Sequence, residues 1–291
     1  MKALKVYIFL VASFIGLCLP STIASQQRYR VAACDWMMLK RQKIGEFGLM
    51  KQLKGDGVEM DMGGLGKRDS FENKLRDPVV AKMYRRTADS LGIAVPAVAM
   101  SGLYGQNFST HRNYRYLVED CLNTMDVMGS KVAFLPLGGC GNDWATNAKV
   151  RTEVVKRLKV VGDMAAARGK VIGIDTPLDA SGNIKLLNEI NSKGIKIFYK
   201  FQTIIDNHWD LYRDLKQLGK DRICMIHCSN VDGYVLSQDP AIDMHKVKDT
   251  LGKMGWSGWL IVERSRDKNE VHNVKKNYGA NIAYLKQVFQ K

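Results

Sequence analysis

Acidic, basic and imidazole side chains recur in this sequence at one kind of place, the end of a short apolar run. Glu59 and Asp61 lie at the end of Gly57–Met62, Asp175 near the end of Lys170–Thr176, and Lys200 and Gln202 flank the end of Ile195–Phe201. His227 stands at the end of Arg222–Cys228, and Glu263 with Arg264 closes Trp259–Arg264. Asp35, Ser101, Asn142 and Asp143 occupy equivalent points, whereas His111, His208, His245 and His272 do not. Carboxylates on two sides of a substrate can take a proton from carbon and return it. A lysine shielded from water can attack a carbonyl to form a Schiff base. Each residue also has an ordinary explanation: His227 as a neutral rim histidine, Glu263 paired with Arg264 or Arg266, Lys200 as a solvated lysine. Asp175, His227 and Glu263 close three different runs, which favours one shared pocket over three coincidences.

The elements that must position these groups repeat along the chain. The apolar runs Val31–Trp36, Gly57–Met62, Ala94–Met100, Lys131–Leu137, Lys170–Thr176, Ile195–Phe201, Arg222–Cys228 and Trp259–Arg264 have the length and residue types of strands. Segments with helical periodicity separate them: Pro78–Leu91, Tyr114–Met128, Val150–Ala167, Ile184–Asn191, His208–Leu218, Met244–Met254 and Asn273–Val288. Glycines that can stop helices follow at Gly92, Gly129, Gly169 and Gly255. Alternating strands and helices predict an α/β fold, and eight units suit a single parallel eight-stranded (β/α)8 barrel. The competing open doubly wound sheet carries a glycine-rich loop after its first strand; Cys34-Asp35-Trp36-Met37 has no glycine. In such a barrel the strand ends listed above would share one rim. Trp36 and Trp144 are either stacking platforms at its mouth or packed core residues.

Lys2 and Lys5, the uncharged run Val6–Leu19, Pro20 and the small residues Thr22-Ile23-Ala24-Ser25 have the pattern of a secretory signal peptide. The expectation is an exported, periplasmic or extracellular protein whose folded domain spans residues 26–291. The apolar run is shorter than the roughly 20 residues of a comfortable membrane span. The formal net charge is +15, but the lysines scatter at spacings expected of solvated helix faces. That argues against nucleic acid as a partner and leaves acidic surfaces or anionic glycans open. Cys34, Cys121, Cys140, Cys224 and Cys228 are odd in number and form no disulfide framework, so buried free thiols are expected.

Gly173-Ile174-Asp175-Thr176-Pro177, Met225-Ile226-His227-Cys228 and Leu260-Ile261-Val262-Glu263-Arg264-Ser265 resemble the ends of strands five, seven and eight in the xylose-isomerase-like barrel superfamily of sugar isomerases and epimerases. Gly57-Val58-Glu59-Met60-Asp61 resembles its second strand. The resemblance implies a small carbohydrate substrate and a divalent cation of the Mn2+ or Mg2+ class, held by Glu, Asp, His and Glu at strand ends five to eight. On this chain it implies Asp175, His227 and Glu263 as metal ligands and Asp175 and Glu263 as the acid–base pair; Trp36, Glu59, His227 and Arg264 are the candidate substrate contacts beside them. Two positions depart from the pattern. Asp175 is one methylene shorter than the expected glutamate, about 1.5 Å of reach. Lys200 falls where a ligand should stand, and an ammonium has donors but no acceptor. Weak or absent metal binding follows. Four readings stay open: a sugar isomerase or epimerase with a weakly held metal, a metal-free isomerase or lyase, a Schiff-base enzyme using Lys200, and a non-catalytic carbohydrate-binding descendant.

Overall fold

The computed structural model describes residues 27–141 and 143–291, so the expected signal segment and Asn142 lie outside the described residues. The strands are β1 (Tyr29–Cys34), β2 (Gly57–Asp61), β3 (Ala97–Ala99), β4 (Val132–Pro136), β5 (Val171–Asp175), β6 (Ile195–Lys200), β7 (Ile223–His227) and β8 (Gly258–Val262). They pair in chain order as a closed barrel. Ala32 opposite Ile261 is part of the parallel β1–β8 seam that shuts it. Closure leaves no exposed sheet edge.

The outer ring is α1 (Asp35–Met38), α2 (Gly45–Gln52), α3 (Pro78–Leu91), α4 (Tyr114–Met128), α5 (Ala148–Ala167), α6 (Ala180–Ile190), α7 (Phe201–Asp206), α8 (Leu211–Leu218), α9 (Met244–Met254) and α10 (Val274–Phe289). Capping chemistry sets several of these ends. Asp77 accepts from the Val79 and Val80 amides, and Pro78 supplies a preset φ at the start of α3. Gly92 ends the same helix in left-handed backbone at φ 66°, a conformation that costs other residues about 1 kcal/mol or more. Asp179 accepts from the Gly182 amide and so begins α6 four residues before the periodic segment anticipated from sequence.

The helix pattern gave no sign of α1 or α2. With two glycines in GEFGLMKQ, α2 lacks a strong propensity signal, but it buries Phe47, Leu49 and Met50. Burial of that face outweighs intrinsic preference. Trp36 belongs to α1 rather than to the first strand, and β3 is confined to three residues by Pro96 and the turn at Ser101.

Strand alternation decides what points inward. A compact interior cluster contains Ala32, Ala97, Ala99, Val132, Phe134, Phe198, Met225 and Ile261. Two residues beyond Phe198, Met225 and Ile261 come Lys200, His227 and Glu263, so these side chains crown the same interior. On β5 the matching pair is Gly173 and Asp175. A Cβ at Gly173 would lie 2.5 Å from Cys224 Sγ and 2.9 Å from Phe198 Cδ2, so its absence gives Phe198 room to fill the barrel. Cys34, Cys121, Cys140, Cys224 and Cys228 are all free thiols. Among the described residues no helix is long and apolar enough to cross a membrane.

Candidate functional site at the C-terminal rim

Lys200, the last residue of β6, is the hub of the rim. Its Nζ lies 3.0 Å from Glu263 Oε2 and 3.9 Å from Asp175 Oδ2. It also donates to the Tyr104 hydroxyl at 3.2 Å, and that hydroxyl donates to Asp175 Oδ2 at 3.1 Å. Tyr104 ends the 3-10 turn Ser101–Tyr104 after β3. It was missed from sequence because attention rested on the residue at each strand end, and this one arrives from a turn five positions later.

A second layer lies beneath. His227 Nε2 and Glu59 Oε2 are 2.7 Å apart, both residues fully buried. His227 Nδ1 faces Glu263 Oε2 at 3.9 Å. Glu59 Oε1, His227 Nδ1 and Glu263 Oε2 are buried without an aligned hydrogen-bond partner, an arrangement that usually has a functional reason. Aromatic rings enclose the imidazole, with centroids at 4.5 Å for Phe198, 4.8 Å for Phe134 and 6.3 Å for Trp36. Trp36 lies nearly parallel to Phe134, at 8° and 6.4 Å.

A cavity of about 480 Å³ opens over this floor, and its walls include Trp36, Arg41, Tyr104, Lys200, Glu263 and Arg264. It falls in the usual size range for a small ligand. Gln202 also borders it. Glu59 and His227, expected among the substrate contacts, are instead fully buried floor residues absent from its lining. Trp36 and Arg264 do border it. Trp144 is 1% exposed and packs in the core, so only Trp36 offers a face at the mouth. Glu263 pairs with Lys200 rather than Arg264 or Arg266. Asp232 receives Arg266 in a two-pronged contact at 2.9 and 2.6 Å, and Arg264 stands 3.5 Å from it.

Asp61 serves structure. It meets Arg41 at 3.0 Å and accepts the Ser101 and Gly63 amides at 3.1 and 2.9 Å, fixing the loops around the mouth. Asp35 accepts the Gln42 amide at 2.9 Å and belongs to the same buried support. Asp143 is exposed.

Burial and charge act against each other here. Burial pulls the Lys200 ammonium toward neutrality, but Asp175 and Glu263 outweigh it and raise its pKa above the ordinary value. Burial pushes Glu263 up, yet Lys200 and His227 together hold it below the usual glutamate value, so it is ionised. Burial dominates at Asp175, whose pKa stays raised despite Lys200. For His227, burial favours the neutral ring, and Glu59 more than reverses this, raising its pKa. The rim thus holds an ionised carboxylate, a carboxyl that protonates more easily, and a fixed ammonium between them.

These donors do not fit a divalent cation as they stand. An ammonium occupies the space between Asp175 and Glu263, so the two carboxyls are already turned toward a cation of the protein's own, and of the imidazole only His227 Nδ1, 3.9 Å from Glu263 Oε2, is left without a partner. Among the described residues no three His, Cys, Asp or Glu side chains are grouped to hold a metal ion.

The same burial predicts a pH dependence of folding. Burial raises Asp61 from 3.8 to about 7. A proton held in the folded state but lost when unfolded makes stability fall with pH between those two values. His227, raised above 6.5, extends the fall to higher pH; Glu263, lowered from 4.5, acts oppositely and only in the acid range. Urea melts should show about 2 kcal/mol more stability at pH 5 than at pH 8. Equal or greater stability at pH 8 would contradict this.

Comparison with known proteins agrees with the architecture. A family described as xylose isomerase-like TIM barrel matches residues 47–288. No protein of curated function matches the sequence. A D-psicose 3-epimerase structure determined with D-fructose superposes with a TM-score of 0.73 at 12% identity, over 90% of this chain and 100% of its own. The 3-keto-D-glucoside 4-epimerase of E. coli gives 0.70 at 17% identity, over 89% and 99%. An L-ribulose 3-epimerase gives 0.69 at 14%, over 90% and 95%. At these identities the likeness is one of fold.

Proposed function

This chain belongs to the xylose isomerase-like TIM barrel family, and we propose that its C-terminal rim shifts a proton beside the carbonyl of a small sugar, as a sugar isomerase or epimerase. The observation that carries this reading is the Lys200 ammonium, held between Glu263 and Asp175 at 3.0 and 3.9 Å. Epimerases among the fold relatives add support for the substrate class. An exported location, expected from the N-terminal segment, favours free sugars over sugar phosphates.

The chemistry follows from the charge states. Ionised Glu263 removes the proton on the carbon next to the carbonyl, and the electron pair moves onto the carbonyl oxygen. Lys200 and the Tyr104 hydroxyl stabilise the resulting ene-diolate, the task of a preorganised cation and donor. Asp175 returns a proton to carbon. Glu263 is then protonated and Asp175 is not, and the chain Glu263–Lys200–Tyr104–Asp175 offers a route for resetting them. Trp36 packs on the C–H face of the open-chain sugar, and Arg264 engages its hydroxyls. The Schiff-base alternative requires a neutral amine, whereas both carboxylates hold Lys200 protonated.

Incubation in deuterated water with a panel of free aldoses and ketoses tests the proposal by NMR. Deuterium should enter at the carbon adjacent to the carbonyl, undiminished by EDTA. Borohydride should trap no sugar on Lys200. Absence of exchange across the panel would overturn the function; a trapped adduct would replace the mechanism with imine chemistry.

A further inference from the structure

A second cavity lies at the opposite end of the barrel. It measures about 590 Å³ and is bordered by Arg30, Arg85, Asp89, Lys131, Met225 and Trp259. Arg30 and Trp259 face each other across the β1–β8 seam. The Arg30 guanidinium lies over the Trp259 ring at 4.1 Å. On β6, Lys196 has the same parity as interior Phe198, so it points into this end of the barrel as Lys200 points into the other.

Cations at this end have an ordinary use, because helices finish here and expose carbonyls. Several are spent in that way. Arg28 donates to the carbonyls of Trp256, Leu251 and Gly252. Arg85 donates to Met128 O and pairs with Asp89 at 2.8 Å. Lys170 pairs with Asp126 at 2.7 Å and reaches Ser130 O. Arg30, Lys131 and Lys196 do none of this: among the described residues their side chains have no carboxylate within ion-pair distance and make no hydrogen bond. The sole acid on the cavity wall, Asp89, is taken by Arg85.

From these observations we infer that the N-terminal mouth is a second ligand site, for a small saccharide or similar molecule bearing phosphate or sulfate esters. Arg30 and Lys131, which border the cavity, supply charge-assisted bonds to the oxyanions, and Lys196, which does not border it, adds positive charge from the barrel interior. The Arg30–Trp259 stack fixes the guanidinium plane, so less side-chain entropy is lost on binding. Salt-bridged neighbours cannot satisfy the three cations, and the volume is ample for a disaccharide-sized ligand. This site is independent of the proposed rim chemistry.

Calorimetric titration of the full chain separates the sources of the anion. The probes are pyrophosphate, a disulfated disaccharide and the same disaccharide without sulfate. The charged probes should bind and the neutral one should not. Preference for pyrophosphate assigns a phosphate ligand, and preference for the sulfated sugar assigns a sulfated glycan. Lys131→Gln should weaken binding about tenfold, Lys196→Gln should weaken it by a smaller factor, and Lys200→Met should not change it. Melting curves check that the variants are folded. No binding of either charged probe at millimolar concentration would overturn the inference. So would binding that is lost in Lys200→Met and retained in the two glutamine variants, because the anion would then sit at the rim.

Discussion

Lys200→Met should lower deuterium exchange into sugar by about a thousandfold or more, with kcat falling far more than KM rises. Removing one preorganised donor from a developing oxyanion costs about 100- to 1,000-fold by itself. Here the same residue also keeps the base ionised. With the ammonium gone, burial would act on Glu263 with His227 and Arg264 alone opposing, and its pKa would rise. The acid limb of the rate profile should therefore move to higher pH, a shift that loss of a merely structural contact would not produce. The variant should also be less stable by about 3 kcal/mol, because it leaves buried carboxylates without their partner. Activity within tenfold of the unaltered protein, measured on folded variant, would remove Lys200 from the mechanism.

Exchanging the charge rather than deleting it should create a metal site. Lys200→Asp sets a third carboxylate beside Asp175 and Glu263, at the strand end where the family resemblance places a ligand. Hard cations bind where several oxygens converge. The variant should bind Mn2+ at least about 100-fold more tightly than the unaltered protein, whereas Lys200→Met should gain little, since it removes repulsion without adding a donor. Calorimetry on all three proteins decides the matter. Tight Mn2+ binding by the unaltered chain would show that the ammonium moves aside and that the arrangement around it is not what excludes metal.

The barrel was legible because two periodicities alternate cleanly along the chain. Pro78–Leu91, Tyr114–Met128 and Met244–Met254 could be bounded from sequence because a proline, a glycine or both mark their ends. Between β1 and β2 the glycines mislead, since Gly45 and Gly48 fall within α2, and the helix forms through the packing of Phe47 and Met50, which local sequence does not encode. The rim was legible in part. Asp175, Lys200 and Glu263 could be nominated because inward parity at a strand end is a local property, and the structure brings them together. The role of Glu59 was not: its contact with His227 joins residues 168 positions apart and depends on barrel closure. Tyr104 was hidden for the same reason, since its turn must fold back over β4 and β5 before its hydroxyl can reach Asp175 and Lys200.

The rings of Trp36, Phe134 and Phe198 around His227 have one more consequence. They form an insulating collar, and dissolved ions cannot enter a space already filled by carbon. Mobile salt weakens attraction between charges only where it can come between or around them. The field that Glu59 and His227 impose on each other beneath the open cavity is accordingly set by the packing of the barrel rather than by the surrounding medium. The acid–base setting of that buried pair should therefore hold across a wide range of ionic strength.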